Sequence, residues 1–507
     1  QDEIDLEEDS LGDKINSANV QEIIQEAPIA RALNIILEYA VRSAASDIHV
    51  EPRENYIHIR FRIDGILQDT MTLPKNVLSS LITRIKIISN LRIDEHRIPQ
   101  DGRIKIKVGP QVVSVRVSTL PFVDGEKVVM RLLDESTKAP TLEELGYSGT
   151  ALVGIKKALT KPHGMLLVTG PTGSGKSTTL YSALSMLNSV EVNISTVEDP
   201  IEYRIGGVNQ TQVNPQVGMT FASGLRALLR QDPDVIMVGE IRDTETAEMG
   251  VHAALTGHVV LSTLHTNNAA GCLPRLLDMG VEPFLIASTV NAVIGQRLVR
   301  KLCPDCRQAY QVDPKRIEEL VQEFSLDRDF IRQKPAKGVL DLIQNAEPEV
   351  VEEKPHETGT SERIIAAPAG LAEHKSILDQ IAQDPTIINR SLSEAENTDR
   401  TLRESLFVAP SKQDEPKKHS EHELSMTLYK PVGCKRCRNT GFVGRIGIYE
   451  VLEMSEKIAD MIVTRAQTDE IQDQSVEEGM ITMAQDGFIK SLIGITTVEE
   501  IMRVTRE

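Results

Sequence analysis

The chain is short of cysteine, short of positive charge and without any long apolar run, and each shortage excludes a class of protein. Five cysteines in 507 residues are too few for a disulfide scaffold. The 56 Lys and Arg fall below the 74 Asp and Glu, for a formal charge of −18. That deficit opposes nucleic-acid binding through broad phosphate neutralisation. No window reaches the roughly 18 consecutive apolar residues of a membrane-spanning helix. The longest candidate, Phe284 to Gly295, is too short to cross, so membrane contact is expected to be peripheral. The start at Gln1 carries no basic-then-apolar leader, which reads as a cytoplasmic location, and the missing initiator Met reads as a processed or truncated start. What remains is ordinary: 40% hydrophobic and 26% charged residues suit two or three soluble domains.

The most informative stretch is Gly170-Pro171-Thr172-Gly173-Ser174-Gly175-Lys176-Ser177, a complete G-x-x-x-x-G-K-[ST] phosphate-binding loop. Its glycines let successive backbone N–H groups turn inward, Lys176 brings a positive charge to β/γ oxygens, and Ser177 is a Mg²⁺ ligand. The apolar run Gly164 to Thr169 before it predicts a buried strand. Ser177 to Asn188 after it predicts a helix aimed at the phosphate. This context separates the match from a chance Gly-Lys-Ser and predicts an NTPase.

Four of the five cysteines form two C-x-x-C pairs, Cys303/Cys306 and Cys434/Cys437. Together they supply four thiolates for tetrahedral Zn²⁺. The 127 residues between the pairs depart from the usual fifteen to twenty or so. Cys272, in an apolar helical stretch, reads as a buried structural thiol.

Composition divides the chain. Residues 1–26 are an acidic leader read as a mobile linker. Residues 27–137 open with an amphipathic helix, Ala27 to Ala45, followed by alternating strands. Ile57, Ile59, Phe61 and Ile63 oppose His58, Arg60 and Arg62, and Val113, Val115 and Val117 oppose Ser114, Arg116 and Ser118. This predicts an α+β domain with one arginine-rich sheet face, which alternation alone leaves equally open to reading as a solvated face. From 138 to 300, helices alternate with short apolar strands, Met165–Thr169, Asn193–Val197, Val235–Val238 and Val259–Leu264, as in a doubly wound parallel sheet. Ligands of such sheets bind at the C-terminal strand edge. Three segments reach that edge: Val197 to Glu202 with its carboxylates Glu198, Asp199 and Glu202; Val235 to Glu240; and Thr256 to Thr266, with a histidine at each end. Taken singly, acidic strand ends are often helix caps and strand-flanking histidines are usually structural.

Taken in order, these segments resemble the secretion-superfamily ATPases, specifically the assembly motors of type IV pili and type II secretion. The resemblance spans almost the whole chain apart from the leader and a long insert. It rests on the Walker A loop at 170–177, the Asp box Thr196 to Glu202, the Walker B run ending Gly239-Glu240-Ile241-Arg242-Asp243, and the His box Gly257 to His265. Further matches are Ala45 to Pro52, Arg60 to Gly65 and Gln100 to Arg103. It implies an α/β fold: a RecA-like P-loop core, preceded by a smaller α+β (PAS-like) domain and followed by a small zinc-binding and helical C-terminal region. It implies ATP, Mg²⁺ and Zn²⁺ as cofactors, with ATP held by residues Gly170 to Thr178. Catalytic roles fall to Glu240, Glu198, Arg116, Arg131 and His265, with Arg97 and Arg103 as weaker arginine candidates. Asp47, His49 and Glu51 share a strand face open to a metal reading, but in the family that stretch looks structural.

Function follows as an expectation: a homohexameric motor hydrolysing ATP to power type IV pilus assembly. It is expected to be peripheral at the cytoplasmic face of the inner membrane, acting through a platform protein and pilus or secretion accessory proteins, with no direct nucleic-acid contact. A type II secretion motor is the alternative, a DNA-uptake or transfer motor a more distant one, and a nucleotide-gated scaffold the non-enzymatic rival. Retraction motors that resemble this core lack the zinc domain, which favours assembly. The family-like boundaries are 301–333 and 424–452 for the two halves of the zinc domain and 453–507 for a helical C-terminal domain. The departure is the insert at 334–423, a polar segment with no aromatic residue between Phe330 and Phe407. Its composition reads as largely disordered. A passive surface insertion is favoured over a regulatory or docking loop.

Overall fold

A computed structural model describes residues 3–6, 29–109, 111–134, 139–326 and 426–506. The insert at 334–423, and the disorder expected of it, lie outside the described residues.

The N-terminal region is a seven-stranded sheet with helices α1 (Ile29–Arg42) and α2 (Leu78–Ile88). Its strands are β1 (Glu3–Leu6), β2 (Ala45–Pro52), β3 (Tyr56–Ile63), β4 (Ile66–Pro74), β5 (Gln100–Val108), β6 (Gln111–Phe122) and β7 (Gly125–Asp134), in the order β1-β5-β6-β7-β2-β3-β4. Period-two alternation decides which face is buried. Ile57, Ile59 and Phe61 of β3 and Val113, Val115 and Val117 of β6 join Leu33, Ile36 and Ile85 of the two helices in one core. The opposite face carries Arg103, Arg116 and Arg131 toward the next domain. One correction concerns the leader: Glu3–Leu6, expected to belong to a mobile linker, pairs parallel with β5 from Glu3↔Lys105 to Leu6↔Val108. The register sets acidic positions beside basic ones on an edge strand otherwise open for pairing.

The second sheet carries the loop. β8 (Gly164–Thr169), β9 (Ile194–Glu198), β10 (Val208–Gln212), β11 (Val235–Val238), β12 (Val259–Leu264) and β13 (Val290–Leu302) run parallel in the order β10-β9-β11-β12-β8-β13. Helices α3 (Gly149–Leu159), α4 (Lys176–Leu187), α5 (Phe221–Leu228), α6 (Thr244–Leu255), α7 (Cys272–Asp278) and α8 (Pro283–Thr289) connect and cover them. The central strands are buried along their whole length because both faces are covered. Met165 and Leu167 face one apolar cluster, Leu166 and Val168 the other. Since the strands are parallel, the C-terminal ends of β8, β9, β11 and β12 share one edge, where the four motifs meet.

A seventh strand, β16 (Phe442–Glu453), closes this sheet antiparallel to β13, from Ala292↔Glu453 to Leu302↔Phe442. The division drawn from sequence gave most of this segment to the zinc region. The 13 residues of β13 offer a long edge, and β16 pairs along nearly all of it. The apolar run Phe284 to Gly295 splits into the end of α8 and the start of β13. Between β13 and β16 lie β14 (Gln308–Gln311), α9 (Pro314–Glu323) and β15 (Thr427–Lys430), the strands paired antiparallel. Helices α10 (Glu456–Val463), α11 (Thr468–Glu477), α12 (Met483–Leu492) and α13 (Val498–Thr505) follow.

Candidate active site and metal centre

β8 delivers the chain to Gly170, and α4 begins at Lys176. A Cβ on Gly170 would lie 2.3 Å from the carbonyl oxygen of Gln296, and Gly175, which caps α4, has φ of 90°; both positions require glycine. Lys176 Nζ donates to the carbonyls of Gly170 at 2.8 Å and Pro171 at 3.1 Å. Burial lowers its pKa, and the charge of Glu240 draws it back up. The Ser174 hydroxyl is buried without a protein partner. Pro171, Thr172, Gly173 and Ser177 are exposed and Thr178 half-buried. A glycine cradle with a cation at its base, an orphan hydroxyl and an open mouth fits a polyphosphate. Ser177, in the first turn of α4, fits a ligand for the accompanying Mg²⁺.

Glu240 follows β11 at the same edge. The Gly239 N–H donates to Val197 O at 2.8 Å and the Ile241 N–H to Thr263 O at 3.0 Å, so both flanking strands fix its position. One carboxylate oxygen lies 2.5 Å from Arg242 Nη2 and the other 3.2 Å from His265 Nε2. Its side chain is only 12% exposed. The contact with Glu240 raises the Arg242 pKa. The carboxylate is thus braced on both sides and stands within electrostatic reach of Lys176.

Glu198, at the end of β9, is 3% exposed. Its oxygens accept from Thr196 Oγ1 at 2.6 Å, Gln210 Nε2 at 3.1 Å and the Tyr181 hydroxyl. Burial raises its pKa against these three donors. The structure therefore separates the two glutamates: Glu240 is held by Arg242 and His265, while Glu198 is enclosed by its own donors.

Three of the four candidate arginines line one cleft of ≈ 750 Å³, with Asp199 and Pro200 across from them: Arg103, Arg116 and Arg131. Arg116 donates to Ile201 O and pairs with Glu202, both at 2.9 Å, and burial lowers its pKa. Arg103 reaches Gln212 at 3.2 Å, and Arg131 pairs with Asp47 at 3.0 Å. Among the described residues these bonds run to the Asp-box segment, to β10 and to β2, not to the phosphate-binding loop. Arg97 stays apart, exposed and paired with Glu95. Asp47 and Glu51 are held by cations, Asp47 by Arg62 and Arg131 and Glu51 by Arg53, Arg60 and Lys127.

The four cysteines converge despite their separation. Their sulfurs lie within 4.8 Å of one another, the one such cluster of potential metal ligands among the described residues. Cys303 Sγ is 3.7 Å from Cys434, Cys306 3.7 Å from Cys437, and Cys434 3.6 Å from Cys437. Four thiolates at the usual Zn–S bond length of about 2.3 Å sit about 3.8 Å apart in a tetrahedron. Backbone N–H groups of Gly433, Cys434 and Gly441 donate to these sulfurs at 3.1–3.3 Å, the outer support that thiolate ligands require. The residues fit a metal. Cys272 is fully buried, and burial pushes its thiol up to about 11.

A RecA-like sheet with this loop, a carboxylate ending the strand two places away and a cleft lined with arginines defines a P-loop nucleotide-binding ATPase. Similarity narrows the class: the model of the Type II/IV secretion system protein family matches residues 22–503, and the chain belongs to that family. The Type II secretion system ATPase E of Vibrio cholerae is 39% identical over 482 residues, 95% of this chain and 76% of that one. The Type IV pilus assembly ATPase PilB of Myxococcus xanthus is 38% identical over 507 residues, 98% of this chain and 73% of that one. The X-ray structure of the Legionella pneumophila ATPase DotB superposes with a TM-score of 0.55 at 19% identity, covering 94% of this chain and 95% of that chain; it shares the fold. No described helix is long and apolar enough to cross a membrane.

The sequence reading passes over Gln296, Tyr147 and Thr179, which back the phosphate-binding loop. The signal was present in the polar pair Gln296-Arg297 set between the apolar runs Ala292–Gly295 and Leu298–Val299, since a buried amide must find partners.

Proposed function

We propose that the chain is a homohexameric motor that hydrolyses ATP to drive type IV pilus assembly at the cytoplasmic face of the inner membrane. The observation that carries this reading is Glu240, braced by Arg242 and His265 at the sheet edge and electrostatically coupled to Lys176. Lys176 and the backbone of 170–178 hold the phosphates, and Ser177 takes Mg²⁺. That ion supplies charge neutralisation at the β/γ oxygens. Glu240 orients and accepts a proton from the attacking water, and His265 holds the carboxylate in place. Glu198, enclosed by donors, positions the strand end beside it. Arg116 and Arg131 supply guanidinium forks suited to a transferring phosphoryl group. They sit on the N-terminal domain, so closing the cleft on nucleotide moves one domain against the other, a motion that a membrane platform protein would pass to pilin subunits. Cys303, Cys306, Cys434 and Cys437 hold structural Zn²⁺.

A type II secretion motor is the second reading, favoured by relatives of that name at similar identity. Steady-state ATPase assays with wild type and Lys176→Ala test the core of the proposal. Turnover that survives the substitution refutes it. Restoration of surface pili, rather than of protein export, in a strain lacking the gene separates the two motors.

A further inference from the structure

Gln296 is 1% exposed and sits where β13 passes the end of β8, with Gly295 in register with Thr169. Both ends of its amide are engaged. Nε2 donates to Ser174 O at 2.7 Å, while Oε1 accepts from Thr179 Oγ1 at 2.8 Å and Tyr147 Oη at 3.2 Å. The residue also touches both ends of the loop. Its carbonyl lies 2.3 Å from a Cβ built on Gly170, and its Nε2 3.3 Å from one built on Gly175.

The consequence follows from peptide geometry. In a planar trans peptide the carbonyl and the following N–H point in opposite directions. A donor gripping Ser174 O therefore turns the Gly175 N–H away from Gln296, and flipping that peptide costs the Gln296 hydrogen bond. The acceptor side fixes the amide in turn. With Oε1 committed to two hydroxyls, Nε2 is the atom presented to the loop. Tyr147 is itself anchored, its ring stacked on Tyr449 with centroids 3.5 Å apart. Tyr449 donates its hydroxyl to Leu145 O and its N–H to Asp486, both at 2.9 Å, and Asp486 pairs with Lys490 at 2.7 Å.

We propose that Gln296 is a positioning residue for the phosphate-binding loop, holding the Ser174–Gly175 peptide in its nucleotide-receiving orientation, with Tyr147 and Thr179 locking the amide. The proposal rests on residues 170–178 being the nucleotide loop. A loop amide serves bound nucleotide before and during the reaction alike, so its misorientation weakens binding uniformly: KM rises and kcat holds.

The test is titration of a fluorescent ADP analogue, with steady-state ATPase assays, on full-length Gln296→Met and on Tyr147→Phe/Thr179→Val. Met keeps the length and loses both polar functions. The double variant keeps Gln296 and the ring stack but removes the hydroxyls that orient the amide. The expected result is a Kd and KM raised about tenfold in Gln296→Met and about threefold in the double variant, with kcat changed less than about twofold in both. Gln296→Glu, which keeps the acceptor and loses the donor, should behave like Met. Nucleotide affinity within twofold of wild type in the double variant overturns the proposal even if Gln296→Met fails to fold, as does a loss confined to kcat. Wild-type protein that binds no nucleotide overturns the loop assignment as well, whereas binding by wild type with unchanged variants overturns this inference alone.

Discussion

At the scale of single residues, the two glutamates that sequence treats alike have different surroundings. Glu240 is held by Arg242 and His265 at a half-open edge, whereas three donors enclose Glu198. Glu240→Gln keeps the shape and loses the base, so ATP binding should persist while turnover falls by about two orders of magnitude or more. Nucleotide titration beside steady-state turnover checks this, and near-normal hydrolysis would remove Glu240 from the chemistry. The arginines make a second prediction. Arg116→Ala and Arg131→Ala should each lower turnover with the unfolding transition unchanged, because both side chains line a cleft rather than a core. If both variants keep full turnover, the arginines serve only their pairs with Glu202 and Asp47. The motifs that the structure gathers at one sheet edge were legible because chemistry constrains residue type and spacing together. Gln296, Tyr147 and Thr179 were not, because their purpose is defined by neighbours distant in sequence.

At the scale of elements, the four parallel strands β8, β9, β11 and β12 were legible to within about a residue, helped in β8, β11 and β12 by the short apolar runs that burial on both faces writes, whereas the half-exposed polar β10 and the charge-bearing β13 were not. The pairing of β13 with β16 was not: each strand's partner lies more than a hundred positions away, and periodicity carries no information on partners. α13 shows how the last helix is tied down. Glu500 accepts from the Arg300 backbone N–H at 3.2 Å and pairs with Arg300 Nη2 at 2.5 Å and Arg503 Nη2 at 2.9 Å. Burial works to raise the Glu500 pKa, but the arginines outweigh it and hold it at about 2, well below the usual 4.5 of a glutamate. A carboxylate depressed on folding contributes stability that is whole above its unfolded pKa and is lost as pH falls toward the folded one. The docking of α13 should therefore weaken between about pH 4.5 and 2, by on the order of 3 kcal/mol. Amide exchange of α13 reads this directly. Glu500→Gln should be weaker at neutral pH and flat across that window, and an equally steep acid dependence in the variant would count against the assignment.

At the scale of the whole molecule, the two cysteine pairs turn a long detour in the chain into one knot. Val312 N–H donates to Met426 O at 2.9 Å, so the chain leaves and re-enters at nearly the same place. Closing a longer loop costs only about 0.6 kcal/mol per doubling, against on the order of 10 kcal/mol from a structural zinc. We expect one Zn²⁺ per chain by metal analysis, lost in Cys434→Ser/Cys437→Ser. Replacing 334–423 with a short glycine-serine linker should leave both zinc content and basal ATPase activity largely intact. A metal-free deletion protein would make the insert part of the C-terminal fold. The late arrival of β16 also bears on biosynthesis. β13 leaves the ribosome about 140 residues before the strand that covers its edge, roughly 7 to 30 s at ordinary elongation rates. Throughout that interval a 13-residue, largely apolar strand stands open beside a half-built sheet, in the form that recruits other chains. The nascent chain is then most in need of a chaperone between the synthesis of its first cysteine pair and its second.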